Sequence, residues 1–307
     1  VKRLLLAAVA IVVLAAALVA VSLWRAPFWW FEKLGKAGLQ GAGLTRAVAL
    51  GPRGPLVYWH GGSGATLVLL HGANDQAGAW GRVAQPLAAG RRLVVPDLAG
   101  HGESGPADGR LSVGDLLQGV EVVIDAAAPG ERVAILGNSL GGFVAMLYAA
   151  RHPQRVDHVI LLNGAALRAA PGAQVSLLPR TREEARAAMD ALTAPQSPRV
   201  PDYVLDALVR MAPTSPLSRL LEWPLDDALV LDGKLAAFAT PVSLVWGEAD
   251  RYMTVDYARE VASQLPAARL VTLPACGHVP QRECPEPMVA AVRQALSAPP
   301  RAAGSTP

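Results

Sequence analysis

One serine sits between glycines in Gly137-Asn138-Ser139-Leu140-Gly141, a G-x-S-x-G arrangement. The run before it, "RVAILG" (132–137), is apolar and strand-like, and "LGGFVAMLYAARHP" (140–153) has the spacing of a helix stopped by Pro153. A serine at so sharp a strand-to-helix junction is lifted clear of the sheet, where its hydroxyl can be reached. The flanking glycines remove side chains that would collide with the neighbouring strand and helix. The helix begins at the serine, so its N-terminal dipole faces negative charge developing there. A serine hydroxyl is a weak nucleophile until a base takes its proton. Among six histidines, His278 in "CGH" follows the last strand-like run and is the candidate base. Asp250, ending "LVWGEAD", is the candidate carboxylate that orients it, with Asp256 and then Glu248 as weaker alternatives. Both lie just past strand C-termini, where open α/β sheets assemble their sites. His60, His152 and His158 read as edge residues of strands or helices, and His101 as a structural residue of a glycine-rich loop.

Ser139, His278 and Asp250 together describe acyl transfer, which also needs two N–H donors for an oxyanion. The N–H of Leu140, directly after the serine, is one candidate. The other belongs to the loop "HGAND" after the strand-like "TLVLL": His71-Gly72 makes the turn and Ala73 supplies the donor. A second glycine pattern, "GHGESG" (100–105), formally matches G-x-G-x-x-G. It is followed by "PADGR", which does not open a helix, so a nucleotide site is set aside.

These residues need a scaffold. Strand-like runs occur at 55–60, 65–72, 91–102 (running into a glycine-rich loop), 132–137, 156–164, 241–250 and 268–278. Helical patterns occur at 112–127, 140–153 and 285–298. Buried runs alternating with helices predict a mostly parallel sheet covered on both faces, an α/β fold. The core is therefore expected at 55–164 and 239–298. Between 165 and 238 the rhythm changes to proline-punctuated helical sequence with no strand candidate, which reads as a helical lid inserted between two strands. Its apolar residues Leu208, Met211, Leu217, Leu221 and Trp223 are candidates to line an acyl pocket. Residues 25–54 read as a glycine-rich linker, with an early edge strand as the alternative over 31–55, and 299–307 as a flexible tail.

Residues 4–24 are uncharged and apolar, long enough to span a bilayer as a helix. Trp24, Trp29 and Trp30 follow or end this run, as in an interfacial aromatic belt. Ala15 and Ala17 satisfy the A-x-A pattern of a cleaved signal peptide, which would make the protein secreted. A cut there would leave an apolar, tryptophan-rich remnant, so a single-pass anchor is expected. Lys2 and Arg3 lie on one flank and Arg25, Lys33 and Lys36 on the other, so charge does not assign a side of the membrane.

The 307 residues are 52% hydrophobic and 17% charged, which excludes a disordered chain, and the net charge of +3 is too weak and scattered for a nucleic-acid partner. Two cysteines, Cys276 and Cys284, form no metal or redox pair by spacing and are read as unpaired thiols, with a bridge as the alternative in an oxidising compartment.

Taken in order, "LLHGAND", "PDLAGHGES", "GNSLGG", "WGEAD" and "CGH" resemble the α/β-hydrolase superfamily over about residues 55–298. The resemblance implies Ser139 as nucleophile, His278 as base and Asp250 as its partner, with no metal or organic cofactor. The N-terminal apolar helix and helical lid look like the membrane-anchored monoacylglycerol lipases and related bacterial lipases. That likeness implies a small-molecule acyl ester as substrate and a carboxylic ester hydrolase. G-N-S-[LM]-G-G elbows also occur in relatives that hydrolyse carbon–carbon bonds of aromatic ring-fission products. A non-catalytic binding protein on the same fold is the third alternative. Valine at 279 departs from the bulky aromatic often found after "GH".

Overall fold

The computed structural model describes residues 2–167, 172–221 and 229–297. Eight strands form one sheet in the order β1-β2-β4-β3-β5-β6-β7-β8. They are β1 (Thr45–Gly51), β2 (Gly54–Gly62), β3 (Ala65–Leu70), β4 (Arg91–Pro96), β5 (Val133–Asn138), β6 (Val156–Leu162), β7 (Val242–Gly247) and β8 (Arg269–Leu273). β2 runs antiparallel to β1 and to β4, and every other pairing is parallel. The helices are α1 (Lys2–Arg25), α2 (Pro27–Gly41), α3 (Ala84–Leu87), α4 (Val113–Ala127), α5 (Leu140–Arg151), α6 (Arg182–Leu192), α7 (Asp202–Met211), α8 (Pro216–Leu221), α9 (Val255–Gln264), α10 (Pro280–Glu283) and α11 (Pro285–Ser297).

Strand periodicity divides the core in two. Val68 and Leu70 face the side covered by α4, α5 and α9, while Leu67 and Leu69 face the side covered by α2, α3 and α11. The interior strands β5 and β7 are buried along their whole length, as expected of parallel strands covered on both faces. α4 starts at a reciprocal cap: the Ser112 hydroxyl accepts from the Asp115 N–H at 3.2 Å, and Asp115 accepts from the Ser112 N–H at 2.8 Å. The described residues between β6 and β7 contribute α6, α7 and α8 and no strand.

The expected linker at 25–54 differs. Residues 27–41 form α2 and 45–51 form the edge strand β1, paired with β2 from Thr45↔His60 to Gly51↔Gly54. The glycines that suggest a linker serve close packing instead. A Cβ on Gly35 would lie 2.3 Å from the Gly78 carbonyl oxygen, because α2 rests directly on the backbone of the 3-10 turn Ala77–Trp80. Lys36 is buried in the same contact, bonded to Glu32 at 2.6 Å and to Glu103. No residue of α1 is buried, and its most apolar stretch has a mean hydropathy of 3.2. Only Ala26 separates it from α2, and Trp30 Nε1 donates back to Ser22 Oγ at 3.1 Å.

The reading of two unpaired thiols is corrected: Cys276 and Cys284 form a disulfide. Eight residues of separation fit either state, and the turn through α10 decides by bringing the two Cα atoms to 6.0 Å. The expected tail at 299–307 lies outside the described residues.

Candidate active site

Ser139 follows β5 and caps α5 with φ 51° and ψ −120°, a conformation that costs a non-glycine residue energy and persists only where its surroundings enforce it. Here they do. The Ser139 N–H donates to the carbonyls of Leu162 and Asn163 at 3.3 and 3.2 Å, and its own carbonyl accepts from Gly142 and Ala165 at 2.9 and 3.1 Å. A Cβ on Gly137 would lie 2.3 Å from the Gly141 oxygen, and one on Gly141 would lie 2.3 Å from the Leu70 oxygen. Both glycines are therefore required by close approach of backbone.

His278 and Asp250 sit on the loops after β8 and β7, at 5% and 3% exposure, and His278 Nδ1 meets Asp250 Oδ2 at 2.6 Å. With Nδ1 engaged, Nε2 is the nitrogen left for chemistry. The buried carboxylate is fully supplied with donors, as a buried charge must be. Its Oδ1 accepts from the Tyr252 and Met253 N–H groups, each at 2.9 Å, and its Oδ2 also accepts from Asn163 Nδ2 at 2.7 Å. The weaker alternatives lie elsewhere. Asp256 is exposed and paired with Arg259 at 2.6 Å, and Glu248 accepts from the Thr272 hydroxyl. No hydrogen bond joins the Ser139 hydroxyl to His278 among the described residues; such bonds commonly tighten only when substrate is bound.

The loop after β3 lies against the serine: a Cβ on Gly72 would be 3.3 Å from Ser139 Cβ. Leu140 is the first residue of α5, and an N–H at that position has no partner within its own helix. Ala73 is half-buried beside it, and its N–H makes no internal hydrogen bond among the described residues. Beneath this loop His71 bonds the Gly72 carbonyl through Nδ1 at 2.8 Å and accepts from the Leu98 N–H through Nε2 at 3.0 Å. With one ring nitrogen donating and the other accepting, the ring is neutral and structural, and burial pushes its pKa down. Asp97, whose pKa burial pushes up, accepts from the Ala77 and Glu103 N–H groups at 2.7 and 2.8 Å. It thus closes the "GHGESG" turn, and no helix opens until Val113. Among the described residues no cluster of three or more His, Cys, Asp or Glu is placed to hold a metal.

Two polar residues that sequence reasoning left unassigned complete the site. Asn163, after β6 with φ 44°, donates to Asp250 and accepts from the Gly247 N–H at 2.9 Å. Asn138 donates through Nδ2 to the carbonyls of Leu162 and His278 at 2.9 and 3.0 Å. Both stand at the C-terminal ends of parallel strands, the same positional signal that singled out Asp250.

Of the expected pocket residues, Leu208 is half-buried, Met211 is partly exposed, and Leu217 is buried above the "HGAND" loop, its N–H donating to Asn74 Oδ1 at 2.9 Å. Leu221 is not a lining residue: it is 64% exposed, because α8 turns Leu217 and Leu220 inward at three-residue spacing. Trp223 lies outside the described residues.

A model of the alpha/beta hydrolase family matches residues 67–291, and the chain belongs to that family. Over 243 residues it is 31% identical to a pimeloyl-[acyl-carrier protein] methyl ester esterase of Nitrosomonas europaea, covering 74% of this chain and 94% of that one. It is 30% identical to a 2-hydroxy-6-oxononadienedioate/2-hydroxy-6-oxononatrienedioate hydrolase of Cupriavidus pinatubonensis, covering 72% and 83%. A crystal structure of a membrane phospholipase A, described as a bacterial virulence factor, superposes with a TM-score of 0.72 at 28% identity, covering 96% of this chain and 98% of the other.

Proposed function

We propose that this protein is a membrane-anchored carboxylic ester hydrolase acting on lipid-like acyl esters such as monoacylglycerols. The observation that carries the reading is the buried His278–Asp250 pair, its carboxylate fully hydrogen-bonded, beside a serine held at positive φ. Ser139 attacks the ester carbonyl while His278 Nε2 takes its proton. Asp250 holds the tautomer and stabilises the imidazolium. The Leu140 and Ala73 N–H groups receive the oxyanion, each worth roughly 3 kcal/mol of barrier. His278 then returns the proton to the departing alcohol, and water activated by the same histidine releases the acid. Residues 165–238 act as a lid, with Leu208, Met211 and Leu217 contributing to the acyl pocket.

The lipid assignment draws on the N-terminal helices. α1 is long and apolar enough to cross a membrane. α2 follows at once and leaves Trp29, Phe31 and Leu34 exposed, with Lys33 over the Trp29 ring at 5.5 Å, a composition suited to the headgroup boundary. The likeness to a membrane phospholipase along nearly the whole chain supports the same reading. A second reading, carbon–carbon bond hydrolysis of a ring-fission diketone, is favoured by the 30% identical hydrolase of Cupriavidus pinatubonensis.

Turnover of p-nitrophenyl esters from short to long acyl chains, wild type beside Ser139→Ala, separates these readings. Hydrolysis of medium or long chains that falls by roughly 10⁴-fold or more in the variant is expected. Folded wild type that turns over no ester but cleaves a vinylogous diketone would overturn the ester assignment.

A further inference from the structure

The disulfide closes a ring of nine residues, 276–284, around the candidate base. Each long polar side chain in that ring reaches a different part of the site. His278 meets Asp250 at 2.6 Å. Gln281, fully buried, donates through Nε2 to Asn138 Oδ1 at 3.1 Å, beside the nucleophile. Arg282 donates to Asp75 Oδ1 at 2.8 Å, in the loop that carries Ala73. Glu283 accepts from the Ala194 N–H and the Ser197 hydroxyl at 2.8 and 2.9 Å, just past α6 within the inserted helical segment. The ring backbone joins in: the His278 N–H donates to the Leu192 carbonyl at 2.7 Å, and its carbonyl accepts from Asn138. Acid, nucleophile, oxyanion loop and lid are thus all referenced to one short loop. The loop's ends are Cys276, fully buried, and Cys284, half-buried.

We propose that the Cys276–Cys284 disulfide is the positioning element of the active site, fixing His278 against Ser139 and Asp250, and that the catalytic domain accordingly works on the oxidising side of its membrane. The first part rests on the Ser139–His278–Asp250 reading above. The second follows from where disulfides persist: in secreted and extracytoplasmic proteins, and rarely among thiols bathed in glutathione or thioredoxin. Lys2 and Arg3 then lie on the reducing side of α1 and everything after Arg25 on the oxidising side. Opening the bond consumes two electrons and two protons. A dithiol supplies them and is itself oxidised to its cyclic disulfide, leaving two thiols on the protein. The nine-residue segment is then held only by its packing and hydrogen bonds, and small displacements of a catalytic group are costly.

The test uses the full chain in detergent, oxidised and after dithiothreitol, beside a Cys276→Ser/Cys284→Ser double variant. Reduced wild type and the variant are expected to lose roughly 10-fold to 100-fold in kcat on a p-nitrophenyl ester, with KM nearly unchanged. In ¹³Cε1-histidine spectra, with the His278 signal assigned by His278→Gln, reduction is expected to shift that signal and its titration in the wild type and to leave the variant untouched. A lower thermal midpoint with kcat and the His278 titration unchanged would mean that the bond only stabilises, and would overturn the proposal. If wild type shows no Ser139-dependent ester turnover, the ester reading fails, and the His278 spectra still decide the positioning claim. For the membrane side, acid quenching of cells freezes thiol exchange, and N-ethylmaleimide added in neutral denaturant then alkylates any free thiols before digestion. A bridged, unalkylated 276–284 peptide is expected, and a doubly alkylated one would overturn the assignment.

Discussion

At the residue scale, the site depends on side chains that never meet a substrate. Asn163 spends both ends of its amide at once, donating to Asp250 and accepting from Gly247. Asn163→Ala removes one of the carboxylate's four donors and leaves a buried N–H without a partner, at a cost of about 1–3 kcal/mol. A fall in kcat/KM of roughly tenfold or more is expected, measured on a p-nitrophenyl ester with the thermal midpoint recorded alongside. The proposed triad was legible in the sequence because each member has a distinctive type and stands just past a strand. Asn163 was not, since its partners are 84 and 87 positions away and an asparagine after a strand usually means a turn. The cysteines were not legible either, because their spacing fits an open or a closed loop equally well.

At the element scale, the strands after residue 55 and helices α4, α5 and α11 were readable from hydrophobic period, α3, α9 and α10 were not singled out, and the segment before residue 55 departs most from its reading. β1 alternates in burial, but its inward positions are the small Ala47 and Ala49 while Val48 and Leu50 are exposed at the sheet edge, so its apolar sequence pattern does not mark the buried face. α2 carries glycines at 35, 38 and 41, which lower helix propensity, and tertiary contact overrides that preference. The override can be tested. Gly35→Val would drive a branched side chain into the backbone at Gly78, where even a Cβ is 2.3 Å from the carbonyl oxygen. The expected loss is about 1–3 kcal/mol of stability, read from the denaturant midpoint, while the exposed-face substitution Leu34→Ala leaves that midpoint nearly unchanged.

At the scale of the whole molecule, three histidines held below their ordinary value by burial, His71, His101 and His158, weaken the fold as pH falls. Burial pushes His101 down to about 3 and His158 down to about 4, so the folded chain keeps both neutral where the unfolded chain protonates them. Their folded values lie below the unfolded one near 6.5, so the unfolded state binds more protons between the two. Stability is therefore full above about pH 6.5 and falls as pH drops toward about 3, the sign required when the unfolded state binds more protons. Urea titrations at pH 7.5, 5.5 and 4.5 are expected to show a steadily lower midpoint, and His158→Gln to flatten part of that slope.

The single residue between α1 and α2 has a mechanical meaning. α2 is seated backbone to backbone on the turn that follows the "HGAND" loop, and Trp30 bonds back across the joint to Ser22. A protein joined to its anchor by a long flexible tether drifts over a bilayer and meets it in any orientation. Here a bilayer that held α1 would act on a stiff stalk, setting the height and heading of the catalytic domain. Changes in lipid thickness or curvature would then tilt the whole domain, and the rate would follow the physical state of the membrane as well as the concentration of substrate within it.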